Sequence, residues 1–192
     1  MKTLYHSHNL NTDYQSLVMS QQDFNAPNPV VADMAKSLNP GAEIFVSVNH
    51  AEEMDPFMHK NIIFETVKHF KNVEGYITDE VFTDSHHHLD SMFVNELSKL
   101  IGDKHFIIGP AFSRIPYFRQ SHILDELIEY DVSGVMFDIR GVDFKNYNEL
   151  QPLAKLKIHA KKRIEIIPVV ESEEKRETLL KNIPFDVVYI HP

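Results

Sequence analysis

Along the chain, segments whose apolar residues recur every three or four positions alternate with short, nearly continuous apolar runs rich in β-branched and aromatic residues. The first pattern is the stripe of an amphipathic helix; the second is a strand buried on both faces. Phe57, Ile62, Ile63, Val67 and Phe70 predict a helix over 55–70, and Leu89, Phe93, Leu97 and Leu100 predict another that Gly102 closes. Ile123, Leu124, Leu127 and Ile128 mark a third, and segments 30–38, 147–160 and 173–181 complete the helical set. Strands are expected at 43–48, 73–80, 105–109, 134–138, 164–170 and 187–190. Near the start, 3–8 and 16–20 are both strand candidates, and the pattern does not rank one above the other as the first strand.

Strand–helix alternation with short connections predicts a parallel sheet with helical crossovers. Each strand ends on polar or ionisable residues: Asn49 and His50, Asp79 and Glu80, Ser113 and Arg114, Asp138 and Arg140, Glu171, and His191. Functional groups at every strand end suit a (β/α) TIM-like barrel, whose site gathers residues from many strands, better than an open sheet with one ligand crevice. No G-x-G-x-x-G or P-loop sequence occurs to favour the open sheet. With no clear eighth helix, the expectation is one domain over 1–192, a small or incompletely closed barrel of six to eight parallel strands.

Composition narrows the function. At 192 residues the chain suffices for one buried core. A net charge of -9, with 161–163 as the one short basic run, predicts no nucleic-acid partner. Without cysteine there is neither a disulfide nor a thiolate nucleophile or ligand. No segment has the length and apolarity of a membrane span, and the Met1-Lys2-Thr3 start opens on polar sequence. The chain as written is expected in the cytoplasm, or outside the cell if a leader has been removed.

At a barrel rim, carboxylates are the first candidates for chemistry. Asp79 and Glu80 are successive, so on a regular strand they point to opposite faces and at most one enters the mouth; the other reading is that one of them caps the next helix. Asp138 lies two strands later. Paired carboxylates on different strands serve as acid and base, or acid and nucleophile, in glycosidic bond cleavage. Arg114 and Arg140 offer planar forks for an anionic group, or ion pairs to neighbouring acids. His50, Glu171, His191, Tyr76 and Tyr117 complete the expected substrate contacts, the tyrosines as surfaces for a sugar ring.

The strands ending Tyr76-Ile77-Thr78-Asp79-Glu80, Ile107-Ile108-Gly109-Pro110 and Val135-Met136-Phe137-Asp138 resemble the spherulin-like and polygalactosaminidase-like glycoside hydrolases over about 40–140. That resemblance implies a barrel hydrolase acting on an oligosaccharide without a cofactor, with Asp79, Glu80 and Asp138 as the catalytic acids. The chain departs from the family pattern at Glu74, where an Asp is usual, at Gly109-Pro110 in place of N-P-G, and at Asp138 in place of a Glu.

A rival reading starts from the histidines. His6, His8, His50, Glu171 and His191 offer imidazole and carboxylate ligands for a divalent metal, giving a metal-dependent barrel hydrolase or lyase for a small anionic metabolite. The run His86-His87-His88 reads as a solvated turn. No lysine stands at a strand end, which argues against a Schiff-base aldolase. A barrel that binds a metabolite without chemistry is the third reading.

Overall fold

The computed structural model describes residues 2–6, 15–20, 36–37, 40–48, 56–83, 88–144 and 147–192. Eight parallel strands form a closed barrel in sequence order: β1 (Lys2–His6), β2 (Ser16–Ser20), β3 (Glu43–Ser47), β4 (Gly75–Thr78), β5 (His105–Ile108), β6 (Gly134–Asp138), β7 (Glu165–Val170) and β8 (Val187–Ile190). Both early candidates are strands. β1 pairs with β2 through Tyr5 and Leu17, and with β8 through Leu4 and Tyr189, so the sheet has no edge. The TIM-like fold class holds, and closure is complete.

Five α-helices are described, one in each crossover from β3 to β8: α1 (Pro56–His69), α2 (Ser91–Ile101), α3 (Tyr117–Glu129), α4 (Tyr147–Ala160) and α5 (Glu173–Asn182). The helix expected at 30–38 lies almost wholly outside the described residues. Local chemistry sets the helix ends. Asp90 caps α2 by accepting from the Phe93 N–H at 3.1 Å, and Ser172 caps α5 by accepting from the Lys175 N–H at 3.3 Å. Gly102 stops α2 at φ +65°, a conformation that costs glycine nothing.

The core has two layers. Leu4, Val18, Phe45, Ile77, Ile107, Met136, Ile167, Val169 and Tyr189 form one cluster with a contribution from every strand, which is the filled interior of the barrel. The larger cluster, including Ile44, Tyr76, Phe106, Val135 and Val188, packs the outer face of the sheet against the helices. Because side chains alternate along a strand, the interior set fixes parity: two residues beyond it, toward the C-terminal rim, come His6, Ser47, Asp79, Gly109, Asp138, Glu171 and His191.

Among the described residues no helix is long and apolar enough to cross a membrane.

Candidate functional site

A cavity of about 170 Å³ opens at the C-terminal mouth. Val18, Ile77, Met136, Val169 and Tyr189 form an apolar floor with one hydroxyl, and the walls carry His6, Ser47, Asp79, Pro110, Arg140 and His191. The parity rule explains the wall: His6, Ser47, Asp79 and His191 each stand two residues past an interior neighbour.

Asp79 follows β4, and two features of the next strand's end place its carboxylate. The Ala111 N–H donates to Oδ1 at 2.6 Å. A Cβ added at Gly109 would lie 2.5 Å from that oxygen, so the carboxylate lies against a glycine that alone leaves it room. Glu80 is not among the residues lining the cavity, and its backbone N–H donates to Thr78 Oγ1 at 3.2 Å. Only one of the two adjacent acids enters the mouth.

Asp138, at the end of β6, is engaged by Arg140. Arg140 Nε and Nη2 donate to its two oxygens at 3.0 and 2.8 Å, and the Arg140 backbone N–H adds a third bond at 3.0 Å. Burial pushes the Asp138 carboxyl up, but the guanidinium fork and backbone bond outweigh it and hold the group below its ordinary range. Arg140 is pushed up by its bonds to Asp138. With Nε and Nη2 committed to Asp138, Arg140 reaches the cavity wall and directs Nη1 to His191 Nδ1 at 3.1 Å. The same Nδ1 lies 3.1 Å from Pro192 O, so it accepts from Arg140 in one tautomer and donates to Pro192 O in the other.

The His6 and His191 rings lie face to face, 4.2 Å apart and tilted by 33°. His6 Nδ1 is 3.0 Å from the Tyr189 hydroxyl, joining β1 to β8 across the seam that closes the barrel. One wall of the cavity is therefore a polar array running from Tyr189 through the two imidazoles to Arg140, which is bonded in turn to Asp138.

The remaining expected contacts lie elsewhere. Tyr76 is buried on the outer face of β4, its hydroxyl donating to Phe70 O at 2.5 Å and Val67 O at 3.2 Å, and burial pushes it up to about 12. Tyr117 opens α3, 48% exposed, under the Lys155 ammonium. Arg114 ends the 3₁₀ turn Pro110–Arg114 and is exposed. Glu171 is not among the residues lining the cavity, and its Oε1 lies 2.9 Å from Lys175; burial pushes the carboxyl up, and the Lys175 hydrogen bond brings it below its usual range. His8, Asn49 and His50 lie outside the described residues, as do His86 and His87.

Of the residues proposed for a metal, the described ones that come together are His6 and His191. Among the described residues no three His, Asp or Glu side chains form a metal-binding group. Reasoning from the sequence missed Ser47 and Tyr189. Counting by twos from the buried centre of β3 and β8 is the signal that reaches them.

No protein-family model matches the chain, and a search of curated protein sequences finds no match. Solved structures share its fold. A structure from Streptococcus agalactiae assigned to the copper homeostasis protein CutC aligns over 98% of this chain and 97% of that one, at 14% identity and a TM-score of 0.76. A 2,3-dimethylmalate lyase of the PEP mutase/isocitrate lyase superfamily aligns over 98% of this chain and 73% of that one, at 9% identity and a TM-score of 0.63. Xylanase 10B from Thermotoga maritima aligns over 92% of this chain and 74% of that one, at 13% identity and a TM-score of 0.53.

The resemblance to spherulin-like and polygalactosaminidase-like hydrolases is not upheld. The likeness is greater to CutC and to a lyase superfamily, and the glycosidase follows behind them. The three acids it grouped also separate: Asp79 faces the cavity, Glu80 does not, and Asp138 is occupied by Arg140.

Proposed function

We propose that this barrel acts on a small anionic metabolite held in its C-terminal mouth. The observation that carries the reading is the cavity itself, with the Arg140 guanidinium on its wall beside two imidazoles and a hydroxyl, and the Asp79 carboxylate in the same enclosure. Pockets for drug-sized ligands run to roughly 300–1,000 Å³. A single small molecule fits the described mouth far better than an oligosaccharide does.

Arg140 supplies charge that no accessible pH removes, and Asp138 holds its plane fixed. The Tyr189 hydroxyl and His6 share a hydrogen bond at the floor, an arrangement able to pass a proton to or from a bound oxygen. Asp79 supplies a second proton-exchanging or hydrogen-bonding group. This is the equipment of a lyase or of another acid–base reaction on a small acid, and the shared fold with a lyase acting on 2,3-dimethylmalate supports that direction. The described residues offer an incomplete metal set, so no step is assigned to a metal.

The test is a thermal-shift panel of oxalate, phosphate and pyruvate against neutral xylose, with the wild-type chain and with Arg140→Met. The anions should stabilise the wild type by binding its folded state, and Arg140→Met should lose the response. Stabilisation by xylose alone, or an equal response from Arg140→Met, would refute the reading. Metal analysis of protein purified without chelator belongs in the same experiment: a stoichiometric divalent ion would add a ligand set completed by residues beyond those described.

A further inference from the structure

The cavity holds fixed groups of both signs, and that restricts what fills it. Arg140 is locked by the Asp138 fork and presents only donors. The Asp79 carboxylate is held by the Ala111 N–H at 2.6 Å and occupies space that Gly109 leaves open, where an added Cβ would come within 2.5 Å of Oδ1 and 2.7 Å of Cγ. A carboxylate held this way is an acceptor whose place is set before any ligand arrives. Arg140 and Asp79 line the same cavity of about 170 Å³, so both are available to one occupant. A plain anion would bring its charge or a bare C–H against that acceptor, whereas a hydroxyl or ammonium would bond to it.

Resting on the reading of this mouth as an anion site, we infer that the occupant is a short carboxylic acid with a hydrogen-bond donor beside the carboxylate. Its carboxylate meets Arg140, and its hydroxyl or ammonium meets Asp79. Gly109 is then a positioning residue for the specificity group, since any side chain there displaces the Asp79 carboxylate. The sequence contains the clue in Gly109-Pro110-Ala111, which otherwise reads only as a strand terminator.

Four three-carbon acids of similar shape test this by calorimetry on the full chain: propionate, pyruvate, lactate and alanine carry hydrogen, carbonyl, hydroxyl and ammonium at the second carbon. Lactate or alanine should bind roughly tenfold or more tighter than both propionate and pyruvate, because a site built around a donor rejects the analogue that lacks it. Which of the two binds separates hydroxyl from ammonium. Asp79→Asn should erase that advantage and improve pyruvate, since the amide can donate to a carbonyl; Asp79→Ser serves if the amide variant fails to fold. Four affinities within twofold of one another, or propionate or pyruvate binding tightest, would overturn the inference while leaving an anion site in place. If none of the four acids binds and the anions of the earlier panel also fail, the anion site itself falls and this inference with it.

Discussion

The two ends of the barrel carry similar kinds of side chain and use them in opposite ways. At the N-terminal end, Lys2 on β1 reaches across β2 to Glu43 on β3, Ser16 between them donates to the same carboxylate at 2.9 Å, and the Lys2 ammonium sits 4.8 Å from the centre of the Phe45 ring. His105 also packs near that ring, with centroids 5.9 Å apart. These charges close on one another. At the C-terminal end the Arg140–Asp138 pair is just as well bonded, but Arg140 and Asp79 also face a cavity. Charge alone therefore does not mark a site in a barrel; a charge that is held in place and still adjoins open volume does. The N-terminal end reads as stability and the C-terminal end as chemistry, the division barrels show generally.

The largest effect that tests this division is on the N-terminal side of the core. Phe45 is 2% exposed and fills the interior beneath Lys2. Phe45→Ala should lower unfolding free energy by about 3–5 kcal/mol through the cavity it leaves. Urea denaturation measures this, and a loss under about 1 kcal/mol would mean the interior is not packed as described. Next comes Arg140→Met, which should weaken binding of the best of the four three-carbon acids by roughly 10- to 100-fold, the worth of hydrogen bonds to a charged group. Lys2→Met should leave that affinity unchanged, and a comparable loss would erase the distinction between the two ends.

Asp138→Asn sharpens the contrast further because its sign is diagnostic. Removing a negative charge near the cavity favours an anion by Coulomb's law, whereas losing the fork frees the guanidinium from its plane. If the pair exists to position Arg140, the variant binds the acid several-fold more weakly despite its more favourable charge. Tighter binding would show that Asp138 only neutralises.

Much of this architecture is legible in the sequence, and the reason lies in particular segments. Strands Gly134–Asp138 and Val187–Ile190 and helix Tyr147–Ala160 fall where periodicity predicts them, because their apolar patterns are unbroken and their ends are polar or turn-forming. The ranking of the first two strands is not legible: in a closed sheet neither is an edge, and both are required. Within the site, Asp79, Arg140, His6 and His191 are visible as polar residues at apolar strand ends. Tyr76 is a natural choice beside Asp79 and lies on the wrong face, since it alternates with Ile77, which points inward. Parity is hidden in such strands because both faces are apolar until the rim, where only one turns polar. Ser47 and Tyr189 escape for the same reason, one too small and one too apolar to announce a site.

The smallest effect separates the carboxylates of the two ends by their pH dependence. For Asp138 and Glu43 burial pushes the carboxyl up, yet bonds from Arg140 in one case, and from Lys2 and Ser16 in the other, bring it below the unfolded values of 3.8 and 4.5. Each therefore contributes stability above its unfolded value that is lost as pH falls through the lower folded one. The Lys2–Glu43 pair, with side chains 32% and 44% exposed, is worth only about 0–1 kcal/mol. Glu165, at the start of β7, runs the other way: burial first and Asp186 second push it above 4.5, against the opposing charges of Lys157 and Lys162. The folded state then holds the proton more tightly, so its contribution is complete below 4.5 and is lost as pH rises through the raised value. Glu165→Gln keeps the neutral form at every pH. Its thermal midpoint should match that of the wild type near pH 3 and exceed it at pH 7, while Glu43→Gln should fall below the wild type at pH 7 and converge with it in acid. If the Glu165 variant is the less stable at pH 7, Lys157 and Lys162 outweigh burial and the N-terminal end is held by its ion pairs throughout.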